Sequence, residues 1–337
     1  MRFFNTAGPV NSEKHYCLPP LKRFDLDKVC MLIEQEKYFI LHAPRQTGKT
    51  TCLLALMEYL NKSGQYSCLY INIESAQGAG ENVKRGIRAI LNELATSAEL
   101  LLGDKFVTDV WKDIFDKTGE DEALKETLTR WAHSSSLPIV LLIDEIDSLV
   151  GNTLISVLRQ LRAGYTKRPR FFPQTIILCG LRDIRDYRIR TSKSKDIITG
   201  GSAFNIKAES LRLGDFSKDD IEKLYNMHTK ETGQKFPPDV IDAVWEYTEG
   251  QPWLVNALGY EVCCKTKENT EKKLNINREM ILEAKENIIL RRETHIDQLV
   301  DKLRETRVKR VIEPILSGSD KPDLIPSDDI QYVLDLG

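Results

Sequence analysis

The sequence predicts a three-layer α/β domain built on a parallel sheet, followed by an all-helical module. Apolar runs without clean alternation recur at residues 38–44 (YFILHAP), 67–73 (SCLYINI), 138–144 (PIVLLID) and 175–180 (TIILCG), as in strands covered on both faces. Segments of helical period separate them. From about Ser210 the apolar runs stop and helical patterns succeed one another.

Between the strands, residues 50–62 carry Leu53, Leu54, Leu56, Met57 and Leu60, and residues 82–102 and 120–133 follow similar periods. In the helical part, residues 217–232 open with Ser217 at an N-cap and with Asp219 and Asp220 in the first turn. Residues 237–249, 251–264 and 277–290 continue as helices. Two more helical patterns follow Thr294. The chain then closes on DDIQYVLDLG, where a strand is expected to begin, so the C-terminus reads as unfinished.

With 337 residues the chain is too long for one ordinary core and should form two or three domains. Hydrophobic residues at 41% and charged residues at 29% fit a globular protein in water. The net charge of −2 makes any basic surface a matter of local clustering. The seven cysteines lie scattered in apolar stretches, without CxxC pairing or histidines at zinc-finger spacing, so they read as reduced, packed thiols. Neither a signal peptide nor an apolar run long enough to span a bilayer is evident; a cytoplasmic protein without a membrane partner is expected.

The first strand runs straight into Ala43, Pro44, Arg45, Gln46, Thr47, Gly48, Lys49 and Thr50, and then into a helix. Strand, loop and helix in that order are what the phosphate-binding pattern GxxxxGK[ST] needs, although Ala43 stands where glycine is usual. Loop N–H groups and the helix N-terminus would wrap a β-phosphate. Gly48 permits close approach, Lys49 reaches the β- and γ-oxygens, and the Thr50 hydroxyl would ligate magnesium. Thr51 extends the polar helix start toward an α-phosphate, and Arg45 and Gln46 read as solvent-facing. ATP and Mg2+ are therefore the expected ligands.

A second motif supports the first. Leu-Leu-Ile-Asp144-Glu145 ends a buried strand with two carboxylates, the Walker B arrangement to the Walker A loop above. Asp144 would hold magnesium and Glu145 would deprotonate the attacking water. Asp147 is expected either to cap the following helix, residues 148–162, or to share in the chemistry. Past the fourth strand, Arg182 is the candidate sensor of the γ-phosphate, with Cys179 second.

Residues 159–195 are strongly basic. They read as a solvated surface, as a grip on nucleic-acid phosphates, or as the source of an inter-subunit arginine finger among Arg185, Arg188 and Arg190. Aromatic residues do not interleave with them, which argues against single-strand binding. Trp253 should pack a lid against the core, and Trp111, Trp131 and Trp245 should be core residues.

The segments HYCLPPLKRFD, LHAPRQTGKTTCLLAL, LLIDEID, SAFNIKAESLRLGDFS and GQPWLVNALGYE resemble those of prokaryotic AAA-like domain ATP-binding proteins, close to initiator-type AAA+ ATPases and to STAND NTPases. The resemblance implies an AAA+ P-loop NTPase domain with an N-terminal strap at 1–209, a helical lid at 210–292 and an incomplete winged helix at 293–337. It implies that residues near Pro19 and Arg23 pass the base, and that Pro252 of Gly250-Gln251-Pro252 packs near the adenine. The function it implies is a slow, Mg-dependent ATPase acting as a molecular switch. ATP and ADP would be its ligands, with a protein partner or self-association. A DNA-associated initiator or mobile-element ATPase and a non-hydrolysing nucleotide-binding scaffold are the alternatives.

Overall fold

The protein was analysed as a computed structural model that describes residues 1–182, 189–190, 197–198, 209–265, 274–291, 302–317 and 325–336. It divides into two compact units. One comprises Leu21–Ala43 and Lys49–Leu213; the other comprises Met1–Pro20, Pro44–Gly48 and Gly214–Gly337.

The first unit holds a five-stranded parallel sheet of β1 (Phe39–His42), β2 (Ser67–Asn72), β3 (Ile139–Asp144), β4 (Thr175–Gly180) and β5 (Glu209–Arg212), in the order β2-β3-β4-β1-β5. Side chains alternate between its faces. Phe39, Leu41, Val140, Leu142, Ile177 and Cys179 meet α1 (Leu26–Glu34) and α2 (Lys49–Ser63) through Val29, Ile33, Leu53 and Leu56. Ile40, Leu69, Ile71, Leu141, Ile143 and Leu178 point the other way. They pack on α3 (Val83–Leu102), α4 (Phe106–Thr118), α5 (Ala123–Ser134) and α6 (Gly151–Ala163). This is the three-layer α/β arrangement the apolar runs predict.

β5 is not among the apolar runs, and the domain boundary expected between residues 209 and 210 separates Glu209 from Ser210, Leu211 and Arg212 of this strand. Glu209, Ser210, Leu211 and Arg212 make no apolar run because β5 is an edge strand with none of its residues fully buried. Helix α4 fills out the helical pattern expected around Trp111, with Val107, Trp111, Ile114 and Phe115 as its buried stripe. Trp111 and Trp131 are core residues as expected, and the Trp131 indole N–H donates to Asp104 at 2.7 Å.

The second unit contains α7 (Lys218–Thr232), α8 (Pro238–Thr248), α9 (Pro252–Tyr260) and α10 (Arg278–Leu290), and α11 (Thr306–Leu316) and α12 (Ser327–Leu336) near the C-terminus. Ser217 caps α7 in a reciprocal box with Asp220. Met1–Pro20, expected with the sheet, groups with these helices. Phe4 and Tyr16 are buried among Leu224, Tyr225, Val255 and Leu258. Tyr16 OH lies 3.1 Å from His228 Nδ1, and His228 Nε2 lies 2.9 Å from Gln234 Oε1. Trp253 serves this unit, donating its indole N–H to the Thr6 carbonyl at 2.9 Å. Trp245 is only partly buried against the same cluster.

The closing segment is helical, not the strand expected from DDIQYVLDLG. Asp329 and Tyr332, one turn apart, bind partners around α11. Asp329 accepts from Arg310 at 2.7 Å, and Tyr332 OH donates to Glu305 Oε2 at 2.6 Å. Those contacts need period 3.6, which an extended segment would not supply. A winged helix over 293–337 lies partly outside the described residues. Among the described residues no helix is long and apolar enough to cross a membrane, and no group of His, Cys, Asp and Glu forms a metal cluster.

Candidate functional site

β1 ends at His42, directly before Ala43, and α2 begins at Lys49. Between them Gln46 (φ 60°) and Gly48 (φ 90°) take left-handed backbone conformations. Such residues within a tight turn direct successive N–H groups into a concave anion cradle. Thr47 is fully buried and donates its hydroxyl to the Pro44 carbonyl at 2.9 Å. Arg45 and Gln46 are exposed, as expected. Ala43 is not among the left-handed residues, so its methyl group is tolerated where the pattern prefers glycine, and it packs into the core beneath the loop.

Lys49 is buried, with Nζ donating to the Ala43 carbonyl at 2.9 Å. A cation is thereby held across the mouth of the loop. Thr50 Oγ1 donates to Asp144 Oδ2 at 2.7 Å. The structure thus joins the two motifs that the sequence separates. Thr51 follows on the first turn of α2 and is half-buried.

Asp144, the last residue of β3, has no exposed surface, and its Oδ1 accepts the Glu145 N–H at 2.9 Å. Glu145 itself takes a left-handed conformation (φ 59°), uncommon for a residue with a side chain. Burial, and then the neighbouring Asp147 and Asp144 carboxylates, raise its pKa above the ordinary glutamate value, while Lys49 opposes the rise. A half-buried glutamate beside a buried aspartate matches the needs of a base whose pKa is drawn toward neutrality. The oxygen set of Thr50 and Asp144 is that of a hard cation such as Mg2+.

Two residues play parts the sequence left undefined. Asp147 neither caps α6, which starts at Gly151, nor joins the carboxylate pair by hydrogen bond; its Oδ1 accepts the Leu181 N–H at 3.1 Å, tying the turn after β3 to the end of β4. Tyr70, hidden in the second apolar run, donates its phenol to Asp144 Oδ2 at 3.0 Å. Inter-strand register, which no spacing within one segment reveals, brings it there.

Cys179 is fully buried on β4. Its thiol pKa is raised by burial first and then by the Asp144 carboxylate, so the thiol stays protonated. Arg182 follows β4 by two residues and is half-buried. Arg185, Arg188, Lys193 and Lys195 lie outside the described residues, and Arg190 is described only in the backbone of a short hairpin, Ile189–Arg190 with Ile197–Ile198.

Pro252 opens α9 in the helical unit. Its predecessor Gln251 caps that helix, accepting the Leu254 N–H at 2.6 Å, and reaches the Arg45 carbonyl with Nε2 at 3.4 Å. Gly250 is required here. It has φ +80°, and a Cβ would sit 1.9 Å from the Phe216 carbonyl oxygen.

Residues 33–187 match a family model described as an AAA domain. With the strand order and the joined phosphate motifs, this decides the assignment. Residues 33–187 are an AAA domain. The fold has relatives among solved structures. A Walker-type ATPase, PABY2304 of Pyrococcus abyssi, is 15% identical with a TM-score of 0.56 over 99% of this chain and 92% of that one. Cdc6p of Pyrobaculum aerophilum is 17% identical with a TM-score of 0.52 over 80% and 66%. Drosophila ORC, in a structure bound to DNA, is 11% identical with a TM-score of 0.50 over 94% and 73%. At such identities the likeness is one of fold. No curated protein sequence matches the chain. The family match and the fold are together those of an AAA+ P-loop ATPase domain.

Proposed function

We propose that the chain is a slow, Mg-dependent ATPase working as a molecular switch of the AAA+/STAND type. The observation that carries this is the direct pairing of Thr50 with Asp144, with Glu145 next in sequence and Lys49 one residue before Thr50. Loop N–H groups and Lys49 would bind the β- and γ-phosphates, and Thr50 and Asp144 would hold Mg2+. When bound, the ion supplies charge neutralisation between the phosphate oxygens. Glu145 accepts the proton of the attacking water, and Arg182 is the candidate sensor of the phosphate that leaves. Gln251, hydrogen-bonded to the loop carbonyl at Arg45, supports Pro252 as an adenine neighbour. In this reading residues 210–292 act as the lid domain, and the protein works in the cytoplasm.

The test uses a fluorescent ATP analogue and a phosphate-release assay. Lys49→Ala should lose nucleotide affinity, and Glu145→Gln should keep it while releasing no phosphate. Equal silence of wild type and Glu145→Gln would leave the scaffold reading in place of the switch.

The fold likeness to an ORC structure titled as bound to DNA favours one second reading, a DNA-associated ATPase. Arg159, Arg162, Lys167 and Arg170 would then contribute phosphate contacts. A gel shift that weakens with salt would support it; no retention at low salt would exclude it.

A further inference from the structure

We propose that Tyr70 is a positioning residue of the triphosphate site, holding the Asp144 carboxylate in the orientation that faces Thr50. The inference deepens the proposed function and rests on it. It begins with register. Tyr70 pairs with Leu142, two residues before Asp144, so Tyr70 and Asp144 project from the same face of the sheet as diagonal neighbours. β2 is the edge strand on that side, and a tyrosine there is long enough to reach across to the last residue of β3.

The donors around Asp144 explain why a second hydroxyl matters. Oδ1 is taken by the Glu145 N–H, and Oδ2 receives both the Thr50 hydroxyl at 2.7 Å and the Tyr70 phenol at 3.0 Å. Thr50 is the residue whose oxygen would ligate the cation, so its orientation answers to the ion as well as to Asp144. The Tyr70 phenol, which also lies within hydrogen-bond reach of Thr50 and Asn72, is not one of the expected cation ligands. Leu142 on the same face offers no donor, and the Cys179 thiol, also hydrogen-bonded to Asp144, is a weaker donor than a phenol. Partners in this position, which orient a ligand without touching the metal, typically change metal affinity or activity 10–100-fold when lost.

Tyr70→Phe removes one oxygen and leaves the ring packed. Binding of a fluorescent ADP analogue is titrated with Mg2+ in the full-length wild type and variant, and repeated in EDTA. The expected result is a rise of about tenfold in the Mg2+ midpoint, with unchanged affinity in EDTA. Bound Mn2+, read by electron paramagnetic resonance in the presence of ADP, should weaken by a similar factor. A midpoint within twofold of wild type overturns the proposal, and so does an equal loss of affinity in EDTA, which would mark a general packing role. Wild-type binding that ignores Mg2+ would instead overturn the proposed function, and this inference with it.

Discussion

Thr50 and Asp144 stand 94 positions apart in the chain, yet the threonine hydroxyl donates to the carboxylate at 2.7 Å. The contact closes the space between the start of α2 and the end of β3. Removing the hydroxyl leaves a fully buried carboxylate with one donor fewer. Thr50→Val should therefore lower the stability of the metal-free protein by about 1–3 kcal/mol in urea unfolding. The same variant should bind nucleotide with little response to added Mg2+.

Glu145 sets the pH behaviour. Its folded pKa is raised, so the fold penalises the ionised side chain. The penalty is absent at low pH, where the carboxyl is protonated in both folded and unfolded chains, and it is complete above the folded value. Glu145→Gln should accordingly raise the melting temperature at neutral pH. That advantage should shrink to nothing as pH falls through the raised value toward the ordinary glutamate range near 4.5. In the wild type, phosphate release should rise with pH along a limb displaced upward from the usual carboxylate range.

Gly250 has no substitute at its position. Gly250→Ala would force a left-handed alanine and push its methyl into the Phe216 carbonyl, whose residue donates its own N–H to the Gly250 carbonyl at 2.8 Å. A loss of at least about 2 kcal/mol is expected. Hydrogen exchange should report it as faster exchange in α8 and α9, with the β-strands of the sheet unaffected.

Asp147 fastens the end of β4. Asp147→Ala deletes the acceptor for the Leu181 N–H, a loss of about 1 kcal/mol. The Leu181 amide should then exchange roughly fivefold faster, while nucleotide affinity in EDTA stays at the wild-type value.

The apolar runs of β1 to β4 were legible because strands covered on both faces need side chains that few solvent-facing positions dilute. Ala43, Lys49, Thr50, Asp144 and Glu145 were legible because phosphate chemistry fixes residue types at fixed spacing. β5 was not legible: an edge strand carrying Glu209 and Arg212 shows neither a run nor an alternation strong enough to separate it from a loop. α12 was misread because Val333 and Leu334 suggest a strand locally, whereas Asp329 and Tyr332 take their conformation from partners on or beside α11. Tyr70 belongs to a third category. Its strand was predicted, but its partner depends on how two strands align, and that information resides in the sheet as a whole.

The burial of Phe4 and Tyr16 among α7, α8 and α9 has a consequence for how the protein is made. The Tyr16 partner His228 lies 212 positions downstream, and Phe4 packs on the later Gly259 so closely that a Cβ there would come within 2.9 Å of its ring. During synthesis the first residues leave the ribosome long before their destination exists. They must stay unpaired while the whole sheet is translated, with two large aromatic side chains exposed to other chains. An amino-terminal fusion that engages this stretch would delay completion of the helical unit and leave the sheet to fold on schedule.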